Sequence, residues 1–294
     1  MNGYFGGMKM LACTFLLWLR LTNVFAQVPY SSLRSTAVSI DHVPVVVRDL
    51  ESIKNLLSET LHFKVKAGKP HAGIENCFVK FQDGTYLEFI TPLDSTPDIG
   101  KYYTRFLKQR QGGTSLAISV QSAETVKKEL RAKNIAFTSD SNQVWKTVEP
   151  SQSDLFYIEY ADKSWKDTQQ NTSHPNGALS LRSVWIISAN VGEDTGKYSE
   201  FGFTNTGKEV LLDVPAHRLA VGSSTLFLID QKNGKRLTSG FSARELTGIC
   251  GFTLKVNSLG TLKNRLPKSD IVRVDTKRIL YFLNEYNLFL EFIE

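Results

Sequence analysis

Cysteine is scarce in this chain, with three in 294 residues: Cys13, Cys77 and Cys250. Neither Cys77 nor Cys250 has a Cys or His partner at zinc-finger spacing, which excludes a structural zinc module. Buried free thiols are the expectation for both, with a disulfide between them as the alternative in an exported protein. Beyond residue 26 no run approaches the roughly 18 apolar residues of a membrane-spanning helix. There is no long low-complexity tract. An excess of one charge is also missing: 35 basic against 29 acidic residues, spread along the chain, form no stripe of the kind that holds nucleic acid.

The first 26 residues differ from the rest. Lys9 precedes the apolar run Leu11 to Leu19, and Val24-Phe25-Ala26 offers small residues at cleavage positions before Gln27. Residues 1–26 are therefore expected to be a secretory signal, with Met8 as an alternative start, and the mature protein is expected to be periplasmic or secreted. Cys13 follows Leu11-Ala12 as in a lipoprotein cleavage site, but most of the apolar region lies after it, which argues against a lipid anchor. Removing Lys9 and Arg20 with the leader takes two positive charges from the formal +6. The chain as a whole is 41% hydrophobic and 22% charged, a globular balance with enough length for two cores.

The strongest pattern is an internal repeat. Tyr86-Leu87-Glu88-Phe89-Ile90 returns at the end of the chain as Phe289-Leu290-Glu291-Phe292-Ile293. From Ser39 a strand runs to Val47, a helix opened by Asp49 carries Leu50, Ile53, Leu56 and Leu57 at helical spacing, and three strands follow, the last two joined by the hairpin turn Gln82-Asp83-Gly84. The unit is βαβββ. Further copies start at Ser115, Arg182 and Ile249, so the fold class is α+β with four βαβββ units pairing into two cupped mixed sheets. The strand pattern aligns His42, Ser115, Ser183 and Gly251 near the unit starts, and Glu88, Glu159, Phe227 and Glu291 near the ends. A polar linker over residues 161–176 separates the pairs, giving domains of 38–178 and 179–294.

A chain of such units with Asp41-His42-Val43 in its first strand and Leu87-Glu88-Phe89 in its fourth resembles the vicinal-oxygen-chelate superfamily. His71-Ala72-Gly73-Ile74-Glu75-Asn76, and Phe156-Tyr157-Ile158-Glu159 followed by His174-Pro175-Asn176-Gly177-Ala178, sharpen the resemblance to the glyoxalase-like domain 3 branch. It covers residues 38 to 190 directly. It implies a divalent metal in the cup of the first pair, held by His42, Glu88 and Glu159, with Glu88 and Glu159 able to move protons as catalytic groups. Ser115 stands where an extradiol-dioxygenase-like site would carry a second His, and Ile74 where the family pattern has Thr. His71, Asn76 and Ser115 are the candidates for contact with substrate.

One imidazole and two carboxylates form a mostly hard ligand set suited to Mn²⁺, Fe²⁺, Zn²⁺ or Mg²⁺, and chelation would stabilise an enolate of a small oxygen-rich molecule. The resemblance thus implies a metal-dependent lyase or isomerase. A non-catalytic, metal-free binding protein with the same cup is the alternative, and the residues leave both open. A glutathione-dependent glyoxalase I is disfavoured by export and by Ser115. Glu291 has the flanks of Glu88 without a His at Gly251, so the motif also serves structure alone. Trp145 and Trp165 could line an apolar pocket, while Tyr102, Tyr103 and Phe106 fit packing on a connecting helix. The expected partner is a small molecule, with no nucleic acid and no membrane span, for a monomer or homodimer.

Overall fold

A computed structural model of the chain describes residues 32–162, 167–238, 246–268 and 271–294. The expected leader with Cys13, and Trp165, lie outside the described residues. Ser31–Glu294 forms one compact unit. In it a short helix, α1 (Ser32–Thr36), leads into β1 (Ala37–Val46), α2 (Leu50–Asn55), β2 (Lys66–Ala67), β3 (Ile74–Lys80) and β4 (Tyr86–Pro92). After α3 (Asp98–Leu107) and β5 (Gly112–Gly113) come β6 (Leu116–Val120), α4 (Ala123–Ala132), β7 (Phe137–Ser141), β8 (Trp145–Pro150) and β9 (Leu155–Tyr160). Helix α5 (Gln169–Thr172) precedes β10 (Ala178–Ser188), α6 (Val191–Glu200), β11 (Thr204–Leu211), β12 (Val214–Val221) and β13 (Ser224–Asp230). Finally α7 (Gln231–Leu237) precedes β14 (Gly248–Val256), α8 (Leu259–Lys263), β15 (Ile271–Val274), β16 (Arg278–Leu283) and β17 (Leu288–Ile293).

The four βαβββ units pair as two mixed sheets, cupped and not closed. The first runs β2-β3-β4-β1-β6-β9-β8-β7, with β5 beside β1, and the second runs β11-β12-β13-β10-β14-β17-β16-β15. In each sheet two units meet through their first strands, antiparallel, and each first strand pairs in parallel with the last strand of its own unit.

Alternation decides which side chains enter the core. Val43, Val45 and Val47 from β1 and its end join Leu87 and Phe89 of β4 on one face, where the α2 residues Leu50 and Ile53 cover them. The corresponding face of the second sheet contributes Val184, Phe252, Leu254, Leu290 and Phe292 to the same continuous core. Asp49 caps α2 by accepting from the Glu51 and Ser52 amides at 2.9 and 3.1 Å. A π turn over Leu56–Thr60 follows and brings both Leu57 and Leu61 into the core.

The linker between the sheets does more than cross the surface. Asn176 is fully buried and donates to the Leu61 carbonyl at 2.7 Å. His174 accepts from the Lys64 amide through Nδ1 and donates from Nε2 to the Lys80 carbonyl, both at 2.9 Å, with its ring between Phe63 and Phe81. Burial pushes its pKa down to about 4. Cys77 and Cys250 are free and buried, and burial pushes both thiols up to about 12. Among the described residues no helix is long and apolar enough to cross a membrane.

Candidate functional site

The face of the first sheet opposite the core carries the polar residues. Across it runs one transverse row set by register: Lys80 opposite Tyr86, Tyr86 opposite His42, His42 opposite Ala117, and Ala117 opposite Phe156. A second row sets Phe78 opposite Glu88 and Glu88 opposite Pro44. His42 and Glu88 therefore share a face and lie one row apart.

A break in the β1–β6 pairing adds a third member. Ile40 faces Ile118 and His42 faces Ala117, so two residues of β1 advance against one of β6. The extra residue is Asp41, and this bulge cancels the alternation that would send Asp41 and His42 to opposite faces. The Asp41 carboxylate is thereby 2.6 Å from His42 Nδ1. Tyr160 donates its hydroxyl to the same Asp41 oxygen at 3.0 Å, and the Tyr86 and Tyr160 hydroxyls are 3.3 Å apart. Burial is the main cause raising both phenols above their ordinary pKa, and the nearby Asp41 charge acts in the same direction, so both remain protonated at neutral pH.

The imidazole is held in plane as well. Tyr86 stacks on it at 4.2 Å with 11° between the rings, and Phe156 meets it edge-on at 5.5 Å. Its other nitrogen, Nε2, faces Glu88 Oε2 at 3.7 Å, beyond hydrogen-bond range. Glu88 is fixed from behind, since Asn76 donates to its Oε1 at 2.7 Å. Asn76 has room for this because Gly68 lies against its Oδ1, and any side chain at 68 would collide with that amide. His42 is nearly closed off, at 4% side-chain exposure, whereas Glu88 retains 15%. The half-buried Phe78, Tyr86, Phe156, Tyr160 and Trp145 form the walls. Lys80 extends over the Tyr86 ring, 4.2 Å from its centre, and burial depresses its pKa against the pull of Asp167.

Of the three expected metal ligands, the structure brings His42 and Glu88 together and sets Glu159 apart. Glu159 shares the face of Tyr157, which is in the core, and its carboxylate accepts from the Ala123 amide at 2.9 Å at the start of α4. Lys146 lies 3.8 Å away. The register explains the separation. Glu88 pairs with Pro44, two residues after His42, and the residue pairing with Ala117, two after Ser115, is Phe156. Glu159 is three residues further on, an odd number, and so on the other side of the sheet.

Ser115 is half-buried just before β6. Asn76 holds Glu88 from beneath. His71 is exposed, with Nδ1 2.8 Å from the Lys69 carbonyl, and does not join the cluster. Among the described residues no group of three or more His, Cys, Asp or Glu could hold a metal ion. Zinc and non-haem iron sites take three or more protein donors, and His42 with Glu88 supplies two, since Asp41 Oδ1 is engaged by His42 Nδ1 and Tyr160. The expected three-ligand set therefore does not fit this cup.

Sequence reasoning did not assign Asp41, Tyr86, Phe156 or Tyr160 to the site. The adjacency of Asp41 and His42 was the available signal, and strict alternation concealed it. Two open depressions elsewhere, about 440 Å³ beside Lys54 and Phe63 and about 380 Å³ beside Ile135 and Lys197, lack convergent groups of this kind.

A family model described as glyoxalase-like domain matches residues 40–202, more than half of the chain. No curated protein matches. Among solved structures, a triple mutant of 4-hydroxymandelate synthase from Streptomyces coelicolor is 14% identical with a TM-score of 0.63, over 88% of this chain and 92% of that one. A hypothetical protein from Staphylococcus aureus is 13% identical with a TM-score of 0.60, over 86% and 98%. A variant of homoprotocatechuate 2,3-dioxygenase from B. fuscum is 10% identical with a TM-score of 0.59, over 88% and 72%. At these identities the likeness is one of fold.

Proposed function

The chain belongs to the glyoxalase-like domain family and has the vicinal-oxygen-chelate fold, and on that premise we propose that its first cup binds a small oxygen-rich molecule against His42 and Glu88 without a tightly held resident metal. The observation that carries this reading is the facing pair itself: His42 Nε2 and Glu88 Oε2, 3.7 Å apart, each held from behind by a partner that leaves its inner atom free. Such a pair can accept hydrogen bonds from ligand hydroxyls. It can also move a proton, the imidazole taking it from a ligand atom and the carboxylate lying beside the path. This supports an acid–base isomerase or lyase over a passive binder, because a passive cup needs no aligned Asp–His pair.

The test is a ligand screen by saturation-transfer NMR with polyols, α-hydroxy acids and α-keto acids. Binding should be lost in Glu88→Gln and His42→Ala and kept in Glu291→Gln. A parallel titration with Mn²⁺ and Zn²⁺ should give no stoichiometric binding at micromolar concentration. Tight metal binding abolished by Glu88→Gln would reverse the metal-free reading, and ligand binding indifferent to both substitutions would move the site elsewhere. We also propose that the protein is exported, on the strength of Leu11 to Leu19 and Val24-Phe25-Ala26. Intact mass of exported protein should correspond to a start near Gln27, and a species that retains Lys9 would sink the idea.

A further inference from the structure

We propose that Asp41 is the positioning residue that sets the tautomer of His42, so that the ring carries its proton on Nδ1 and turns an unprotonated Nε2 toward Glu88. The assignment rests on the reading of the first cup as the binding site, and it adds the reason why one ring nitrogen is available there. An ionised carboxylate accepts hydrogen bonds and cannot donate them, so a nitrogen 2.6 Å from Asp41 Oδ1 brings the proton. Tyr160, whose phenol keeps its proton, donates to the same oxygen at 3.0 Å and fixes the carboxylate in the orientation that meets the ring. The stacked Tyr86 and edge-on Phe156 hold the ring plane, so a half-turn of the imidazole would set carbon atoms against Asp41 and forfeit the bond.

The bulge is the structural cause. Under unbroken alternation Asp41 would share the face of Val43, two residues on, which lies in the apolar core. Asp41 is 7% exposed and His42 3%, so water does not compete for the contact. A carboxylate that locks an imidazole tautomer determines which nitrogen accepts a proton or a ligand hydrogen bond.

Nitrogen-15 correlation spectra of histidine-labelled full-length mature protein read the tautomer directly, with His42→Gln identifying the resonance. At neutral pH the wild-type ring should show a protonated Nδ1 and an unprotonated Nε2. In Asp41→Asn, whose amide can donate to Nδ1, the proton should move to Nε2, and diethyl pyrocarbonate should acylate His42 at least about tenfold more slowly. Tyr160→Phe should keep the wild-type pattern because Asp41 still accepts from Nδ1. A wild-type ring with its proton on Nε2, alone or together with Nδ1, overturns the proposal even if Asp41→Asn fails to fold. So does an Asp41→Asn protein whose Nε2 stays unprotonated. Both spectra are recorded without ligand, so a cup that binds nothing in the screen leaves the tautomer result intact, and the two failures are distinguishable.

Discussion

The two cups of this protein share strand order, register and the Leu-Glu-Phe motif, yet one presents a facing imidazole and carboxylate and the other is filled. In the second cup Ser183 occupies the place of His42, and Trp185 and Phe227 pair where Pro44 and Glu88 pair in the first. Trp185 is fully buried with Phe227, Phe289, Leu280 and Cys250, and Phe282 stacks on Phe289 at 5.1 Å. Glu291 survives there, but both its oxygens are used: Thr253 donates at 2.7 Å and Arg278 at 2.8 Å. Thr253 itself sits under Trp185 Nε1 at 3.0 Å and bonds Ser183 at 2.6 Å, which completes a closed network. Glu88 has one oxygen held by Asn76 and the other turned to His42. The difference teaches that the same carboxylate becomes structural or available according to whether its neighbours satisfy it, not according to the strand that carries it.

The sharpest way to break this comparison is to empty the filled cup. Trp185→Ala should destabilise the fold by about 3–5 kcal/mol, because it removes a large side chain from a packed site and with it one of the two donors to Thr253. Phe156→Ala, at a half-buried wall of the first cup, should cost well under half of that. Urea unfolding of the two variants decides it, and equal losses would mean that the first cup is as much a packed core as the second.

A smaller effect separates the frame of the first half from its cup. His174 stays neutral in the folded chain down to about pH 4, while an unfolded chain takes up the proton near the ordinary 6.5. Between those values the unfolded state binds more protons, so stability falls as the pH drops from about 6.5 toward about 4, by up to about 3 kcal/mol from this group. His174→Gln should flatten that part of the stability profile measured by urea unfolding. An unchanged slope would show that the ring does not carry it.

The paired carboxylates give the next step down. Glu291→Gln should cost about 1–3 kcal/mol because it weakens a buried, doubly bonded group beside Arg278. Glu88→Gln, which keeps the shape of a part-exposed side chain, should cost less than about 1 kcal/mol while abolishing ligand binding. If thermal melts show the reverse order, the roles of the two cups are exchanged. Glu159→Ala should cost about 0.5–2 kcal/mol through loss of its bond at the start of α4 and leave binding at His42 untouched. A loss of binding in that variant would return Glu159 to the site.

Much of the architecture is legible in the amino-acid sequence. The four units, the hairpin at Gln82-Asp83-Gly84 and the helix opened by Asp49 follow from local rules of alternation, turn chemistry and capping, and those rules act over a few residues. Glu88 is legible for the same reason, standing between Leu87 and Phe89, whereas His42, between Asp41 and Val43, is singled out by the family resemblance of Asp41-His42-Val43 and not by alternation. Glu159 went the other way because Leu-Phe-Tyr-Ile-Glu-Tyr is apolar at almost every position, so alternation alone does not say which member of the strand lines the cup.

What the amino-acid sequence by itself determined was therefore the repeat, the secondary structure and the apolar face of those strands that alternate cleanly, since periodicity is a property of neighbours along the chain. Tertiary structure alone decided the site. Pairing of Ala117 with Phe156 set the face of Glu159, and one extra residue against Ala117 turned Asp41 onto the side of His42. Side chains from strands about 40 to 100 residues apart settled whether each cup was filled or left open, because register between distant strands is fixed by packing that no local pattern contains.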